Sequence, residues 1–467
     1  MKKNVLFILI DGLRADQCFG EASGRTDFFD KLISRGIAFK NTFSSADGTF
    51  ISLNCLFNSK FQFETGIRSR KIILQNKNYL ELLKKENYQL YGLIPNLKSL
   101  EPLRKYFKNK KCTYSHGPPP ETLTNGLDER IKNIFEELKI EKQWLFYIHL
   151  FDLHPLREGI IPKNLDKFTS DEFGNSLYTK TVSMINQKLN EIFENIDLNN
   201  TIIVLTSDHG ERIPFDDKLS FEFEPKLYSA KKVGKKLIPK SLHKKSGNLF
   251  GSFKKSIAKK RLEKENRNLN NYQIRSRDPY FTLSLFDELL HIPLIFSGIE
   301  KQDKKVKNFV SELDIFPTIC DLLGIGDDEN RHGKSLMPLI NDESFVRDPI
   351  FIHTIPYENE SSLDRIGIRT DELKYFRNSR DPTKDVNLYD IINDPFENNN
   401  MAEREPEKIR KMEEILTEMQ QNTKKQNNMS NDDDDDEIKN ELRKLGYLWK
   451  TKISTVETIV YLINTKK

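Results

Sequence analysis

The residues of this chain that could do chemistry stand at the ends of apolar runs. Thr201–Thr206 (TIIVLT) leads directly into Ser207-Asp208-His209-Gly210-Glu211. A carboxylate and an imidazole on consecutive loop residues can face one divalent cation. Asp11 follows the apolar run Val5–Ile10 and adds a second carboxylate. Carboxylate oxygens with an imidazole nitrogen suit Mn, Zn or Mg, and Ca less well. Taken singly, Asp208-His209-Gly210 reads as an ordinary turn and Asp11 as a helix N-cap. The metal reading rests on the two together, at the ends of strands that belong side by side. The expectation is one divalent ion (Ca, Mn, Mg or Zn) on Asp11, Asp208 and His209.

The segment Phe39–Phe57 (FKNTFSSADGTFISLNCLF) is rich in hydroxyls. A Thr or Ser oxygen beside a divalent ion loses its proton more readily and can attack sulfur or phosphorus. Thr49 is the first candidate nucleophile and Ser52 the second. On composition alone, the segment reads equally as a Ser/Thr-rich loop without chemistry. A further apolar run, Trp144–Phe151, ends in Asp152 and His154, which could bind substrate or move a proton. His149, between Ile148 and Leu150, reads first as a core histidine and second as a minor substrate-binding residue. His243, His291 and His332 are read as structural.

Strands and helices must hold these residues. Val5–Ile10, Trp144–Phe151 and Thr201–Thr206 are strongly apolar runs, the pattern of parallel strands buried on both faces, and Tyr88–Ile94 also reads as a strand. Thr26–Gly36 reads as a helix with Gly36 as its stop, Tyr79–Lys85 as a second and Thr181–Ile196 as a third. The alternation predicts an α/β fold with a mostly parallel central sheet flanked by helices. Ligands of such sheets bind beyond the carboxyl ends of the strands, where Asp11, Asp152, His154, Asp208 and His209 all fall. Leu313–Leu323 reads as a helix, and Ile366–Phe376 with Val386–Tyr389 as strands of a small sheet. Asn393-Asp394-Pro395 reads as a turn.

With 467 residues, the chain accommodates one large α/β domain and a smaller appendage, or two to three average domains. Lys plus Arg is 74 and Asp plus Glu is 70, a net +4 that does not by itself call for nucleic acid or a membrane. Residues 226–277 are crowded with Lys and Arg and read as a partly flexible basic insertion. That insertion could meet an anionic polymer, a membrane surface or an acidic substrate. It lacks the interleaved aromatics that stack on bases, so nucleic acid is not favoured. Asp432–Asp436 suits the start of a helix over Ile438–Leu448. The four cysteines are scattered, which fits a reducing compartment. The apolar run behind Lys2 and Lys3 is too short for a signal peptide, and no run is long enough for a transmembrane helix. A cytoplasmic location is the expectation.

The motifs in order resemble one family. NVLFILIDGLRAD resembles the opening of the sulfatases, within the alkaline phosphatase superfamily. FDKLISRGIAFKNTFSSADGTFISL is similar to the family's nucleophile segment, FYIHLFDLHP to its histidine-bearing strand end and TIIVLTSDHGE to its second metal motif. LFDELLHIPLIFSG, LDIFPTICDLLGI and GKSLMPLI follow in family order. IGIRTDELKYF with NLYDIINDPFENNNMA resembles its C-terminal subdomain, and DDDDDEIKNELRKLGYL its tail. The resemblance covers nearly the whole chain outside 226–277. It implies a catalytic α/β domain over 1–345, a small antiparallel-sheet subdomain over 346–405 and a charged helical tail over 406–467. Carried over by position, Asp11, Asp208 and His209 match metal ligands, Thr49 the nucleophile and His154 a substrate-binding or proton-shuttling histidine. Ser52, His149 and Asp152 are candidate substrate-binding residues.

The departures are specific. Sulfatases carry a Cys or Ser, converted to formylglycine, in a Cys/Ser-x-Pro-Ser-Arg motif; here the segment is Thr49-Phe50-Ile51-Ser52-Leu53. Gly12 replaces the usual second acid, no Lys-x-His element surrounds Ile94-Pro95-Asn96, and Phe281 stands near a customary histidine. The expected function is metal-dependent hydrolysis of sulfuric or phosphoric esters, on a small molecule or a glycan. The alternatives are a phosphotransferase acting on cell-envelope glycans or lipids, and an inactive relative that binds an anionic glycan.

Overall fold

The computed structural model describes residues 2–20, 24–65, 71–117, 119–158, 160–194, 196–213, 266–276, 284–355, 364–421 and 437–438. By compactness the chain forms two units. The first comprises Met1–Glu211, Leu283–Pro395 and Asn400–Leu448, and the second Arg212–Thr282, Phe396–Asn399 and Trp449–Lys467.

Eight strands of the first unit build one sheet: β1 (Asn4–Ile10), β2 (Gly36–Phe43), β3 (Gln89–Pro95), β4 (Thr113–Tyr114), β5 (Trp144–Leu150), β6 (Thr201–Thr206), β7 (His291–Ser297) and β8 (Lys304–Ser311). Their order is β4-β3-β5-β1-β6-β7-β2-β8. All neighbours are parallel except where β7 runs against β6 and β2. β1 sits centrally and is buried on both faces from Val5 onward, so its sequence has no polar alternation. β5 and β6 flank it in register, Leu9 opposite both His149 and Thr206. The carboxyl ends of these three strands are therefore adjacent.

β7 carries Pro293 in its interior, where the absent N–H removes a ladder bond. β2 answers with a register shift between Phe39 and Thr42, opposite Ile292 and Leu294.

Among the described residues, the longer helices before the second sheet are α1 (Asp27–Ser34), α2 (Thr49–Asn58), α3 (Tyr79–Lys85), α4 (Leu127–Leu138), α5 (Leu177–Phe193) and α6 (Ile315–Leu323). α1 buries Phe28, Phe29, Leu32 and Ile33. It ends before Gly36, which is not its stop. Gly36 opens β2, and a Cβ there would lie 1.9 Å from Phe296 O, so strand contact demands the glycine. α5 starts four residues before the expected Thr181, because Ser176 and Thr179 close a reciprocal cap. α2 lies within the hydroxyl-rich segment, and all ten of its residues are buried, Thr49 first.

A second, antiparallel sheet of four strands has the order β12-β11-β10-β9, from β9 (Ile350–His353), β10 (Arg365–Arg369), β11 (Leu373–Asn378) and β12 (Asn387–Asp390). An isolated bridge, Ala46 to His353, ties its edge to the segment before α2. α7 (Pro406–Gln421) buries Met412 and Leu416.

In the second unit, Arg275 donates to the carbonyls of Phe396 and Glu397. Most of the basic stretch 226–277 and all of the Asp432–Asp436 run lie outside the described residues. Among the described residues no helix is long and apolar enough to cross a membrane.

Candidate metal centre

Asp11 is the residue after β1, and Asp208 and His209 are the second and third residues after β6. Each offers a ligand atom, and these atoms lie within 4.8 Å of one another in a fully buried group. His209 Nε2 is 3.5 Å from Asp208 Oδ2 and 3.9 Å from Asp11 Oδ1.

Backbone contacts hold the two loops together. Ser207 Oγ donates to Ile10 O at 2.7 Å and accepts from Leu13 N at 2.9 Å. Asp208 Oδ1 accepts from His209 N at 3.0 Å and Gly12 N at 3.2 Å. From α5, Tyr178 donates its hydroxyl proton to Gly12 O at 2.6 Å and accepts from Arg14 N at 3.1 Å. Gly210 packs so tightly on the turn before β7 that a Cβ would meet Glu288 O at 2.3 Å.

His209 Nδ1 lies 2.6 Å from the Gly210 carbonyl, an acceptor, so Nδ1 carries the proton. Nε2 then presents its lone pair to the carboxylates, the orientation a metal-ligating histidine needs. Asp208 Oδ2 is buried without a hydrogen-bond donor. Burial, then the charge of Asp208, pushes the Asp11 carboxyl above its ordinary range. Two buried carboxylates this close repel, and a cation between them offsets both that repulsion and their lost hydration. The Asp208 oxygen without a donor, the Nε2 side of the His209 imidazole and the Asp11 carboxylate fit one divalent ion.

Thr49, the first residue of α2, donates to Asp11 Oδ2 at 2.9 Å and lies 3.4 Å from His209 Nε2. His149 Nε2 is 3.4 Å from the same Asp11 oxygen, and its Nδ1 is buried without a partner. Asp152, just past β5, takes Leu123 N on Oδ1 at 2.8 Å. His154 stacks on Phe151 with ring centroids 4.4 Å apart. Ser52 is placed differently from Thr49: its hydroxyl donates to Glu312 at 2.6 Å.

Two buried acids escaped the sequence reading. Asp47, two residues before Thr49, accepts from Ile355 N at 2.8 Å and Ser284 N at 3.1 Å. Glu312, just past β8, gathers three serines. Burial, only partly offset by these hydrogen bonds, pushes both acids up to about 7. Their signal was an acidic residue inside an otherwise apolar or small-residue run, which also describes many surface turns.

A mostly parallel sheet with a group of metal-type side chains at the carboxyl ends of its strands defines a class of α/β proteins. The sulfatase family profile matches residues 3–325. A second profile, that of the C-terminal part of N-sulphoglucosamine sulphohydrolase, matches residues 280–428. The chain belongs to the sulfatase family. It is 29% identical over 145 residues to arylsulfatase K of Canis lupus familiaris, covering 29% of this chain and 27% of that protein. It is 31% identical over 128 residues to the delta 4,5-hexuronate-2-O-sulfatase of Bacteroides thetaiotaomicron, covering 26% of each. These matches span about a quarter of the length of either relative. The structure of a 2-O GAG sulfatase superposes with a TM-score of 0.62 at 17% identity, over 90% of this chain and 92% of that one.

Proposed function

We propose that the protein hydrolyses sulfuric or phosphoric esters, using one divalent ion on Asp11, Asp208 and His209 and Thr49 as the nucleophile. The observation that carries this reading is the Thr49 hydroxyl, 2.9 Å from one carboxylate of the cluster and 3.4 Å from its imidazole. A bound divalent ion supplies a Lewis acid that polarises the ester and eases loss of the Thr49 proton. Thr49 directs its proton at Asp11 Oδ2, which leaves an Oγ1 lone pair for sulfur or phosphorus. Attack by Thr49 breaks the bond to the leaving alcohol and places the sulfuryl or phosphoryl group on Oγ1, and water then hydrolyses that ester and restores the threonine. His154 is the candidate for protonating the leaving group, with Asp152 and His149 as substrate-side groups.

Sulfate carried on a glycan is the proposed substrate class, because the two relatives described above are named sulfatases and one is named for a hexuronate 2-O-sulfate. Thr49 itself supports a second reading, a phosphoric ester, since it stands where formylglycine chemistry needs Cys or Ser. One assay decides between them. Wild type and Thr49→Ala are run on aryl sulfate, phosphate monoester, phosphate diester and phosphonate, with Mn, Zn, Mg and Ca in turn. Turnover that Thr49→Ala abolishes is expected on one ester class. Equal turnover by the two proteins would overturn the nucleophile reading, and no turnover on any ester with any of the metals would overturn the hydrolase reading.

A further inference from the structure

Glu312 has no part in the chemistry above, yet it is 1% exposed and lies at the edge of the sheet where β2 and β8 end. Its Oε2 accepts from Ser52 Oγ at 2.6 Å and Ser44 Oγ at 3.0 Å. Its Oε1 accepts from Ser45 N at 2.9 Å and Ser45 Oγ at 2.5 Å. One carboxylate therefore joins the end of β2 to the first turn of α2. Thr49 and Ser52 are three residues apart on α2, neighbours on one helix face.

The carboxylate itself stands on a fixed base. In the turn Glu312–Asp314, Asp314 accepts from Ser311 N and Lys334 N, both at 2.8 Å, and pairs with Arg347 at 3.2 Å. Burying a carboxylate among neutral donors is costly, and burial duly pushes Glu312 up to about 7. Apolar side chains would hold α2 against the sheet without that cost. Four directed hydrogen bonds supply what apolar packing does not, a single setting of the helix.

We propose that Glu312 is a positioning residue which, through Ser52, sets the rotation and depth of α2 and thereby the distance from Thr49 Oγ1 to Asp11. The proposal rests on the reading of Thr49 as nucleophile. Asp11, Asp208 and His209 hang from β1 and β6, so it separates placement of the nucleophile from metal binding.

The test compares Ser52→Ala, Ser52→Thr, Glu312→Gln and the Ser52→Ala/Glu312→Gln double variant in the full chain. Ser52→Ala and Glu312→Gln should lower kcat by about 10–100-fold, as for a nucleophile displaced by about 1 Å. KM and calorimetric affinity for the divalent ion should stay put. Ser52→Thr, which keeps the hydroxyl, should retain kcat, and the double variant should be no worse than the poorer single. An unchanged kcat in a folded Ser52→Ala protein overturns the proposal, as does a parallel loss of metal affinity. Should Glu312→Gln fail to fold, Ser52→Ala carries the test, because it removes a single hydroxyl. A second readout needs no turnover: in methyl-labelled threonine NMR, Ser52→Ala should shift the Thr49 resonance and leave Thr206 in place. An unmoved Thr49 resonance also overturns it. Turnover that survives Thr49→Ala instead sinks the nucleophile reading.

Discussion

The Thr49 hydroxyl and the His149 imidazole converge on one oxygen, Asp11 Oδ2, at 2.9 Å and 3.4 Å. The other oxygen, Oδ1, faces His209 Nε2 at 3.9 Å. Asp11 thus divides its carboxylate, one oxygen toward the Thr49 hydroxyl and one toward the His209 imidazole. This division makes the hydroxyl and the carboxylates separately testable.

Thr49→Val keeps the shape of the side chain and removes the oxygen. The nucleophile reading expects kcat to fall by about 10³-fold or more, while Thr49→Ser keeps most of the rate. Stability should fall by about 1–3 kcal/mol, because Asp11 Oδ2 loses a buried donor. Steady-state rates and urea melts measure the two effects. A Thr49→Val enzyme as fast as Thr49→Ser would end the assignment.

Metal binding should depend on Asp208, whose Oδ2 is buried without a donor. Purified wild type is expected to hold about one divalent ion per chain, and Asp208→Ala far less. Added metal should raise the Tm of wild type, by about 2.7 kcal/mol of stabilisation at a hundredfold excess over Kd, and leave Asp208→Ala unmoved. Equally low metal content in both proteins would contradict the ligand assignment.

The strands that carry the site were legible because β1, β5 and β6 are buried on both faces and read as unbroken apolar runs. Their parallel register then placed Asp11 beside Asp208. α2 was not legible as a helix. It is buried all round, so it shows no polar face, and Thr49 and Ile51 are β-branched. Pro293 lies inside β7, in the middle of the sheet, opposite the register shift in β2. Ser52 was read from its hydroxyl as the second candidate nucleophile, and also as a substrate-binding residue. Its partner, Glu312, is 260 positions away, beyond any local pattern.

Asp287 joins the two sheets. It meets Lys374 Nζ at 2.5 Å and Arg369 Nη2 at 3.2 Å, and Lys374 is fully buried. Burial alone would raise the Asp287 carboxyl, but the two cations overcome it and hold it well below the ordinary range. Asp287→Asn strands two cations in a dry setting, so a loss of about 3–5 kcal/mol is expected. Lys374→Met should cost less, since Arg369 still neutralises the acid. With a depressed folded pKa, the Asp287 contribution is full above its unfolded pKa and fades as pH falls toward the folded value. Urea melts at neutral and acid pH measure both effects, and equal losses for the two variants would refute this ranking.

Asp152 gives the opposite slope. Its Oδ2 is buried without a donor, its Oδ1 has a single backbone partner, and burial raises the carboxyl to about 7. Between its unfolded value near 4 and about 7, the native protein keeps this proton while the unfolded chain has released it. Native stability therefore declines as pH rises through that window, by up to about 1.4 kcal/mol per pH unit from this one group. Asp152→Asn removes the titration, so its stability should vary less steeply from pH 5 to 7. Urea melts across that range, with a chelator present to suppress metal-linked protons, measure the difference in slope. Parallel profiles for the two proteins would show that Asp152 is ionised throughout.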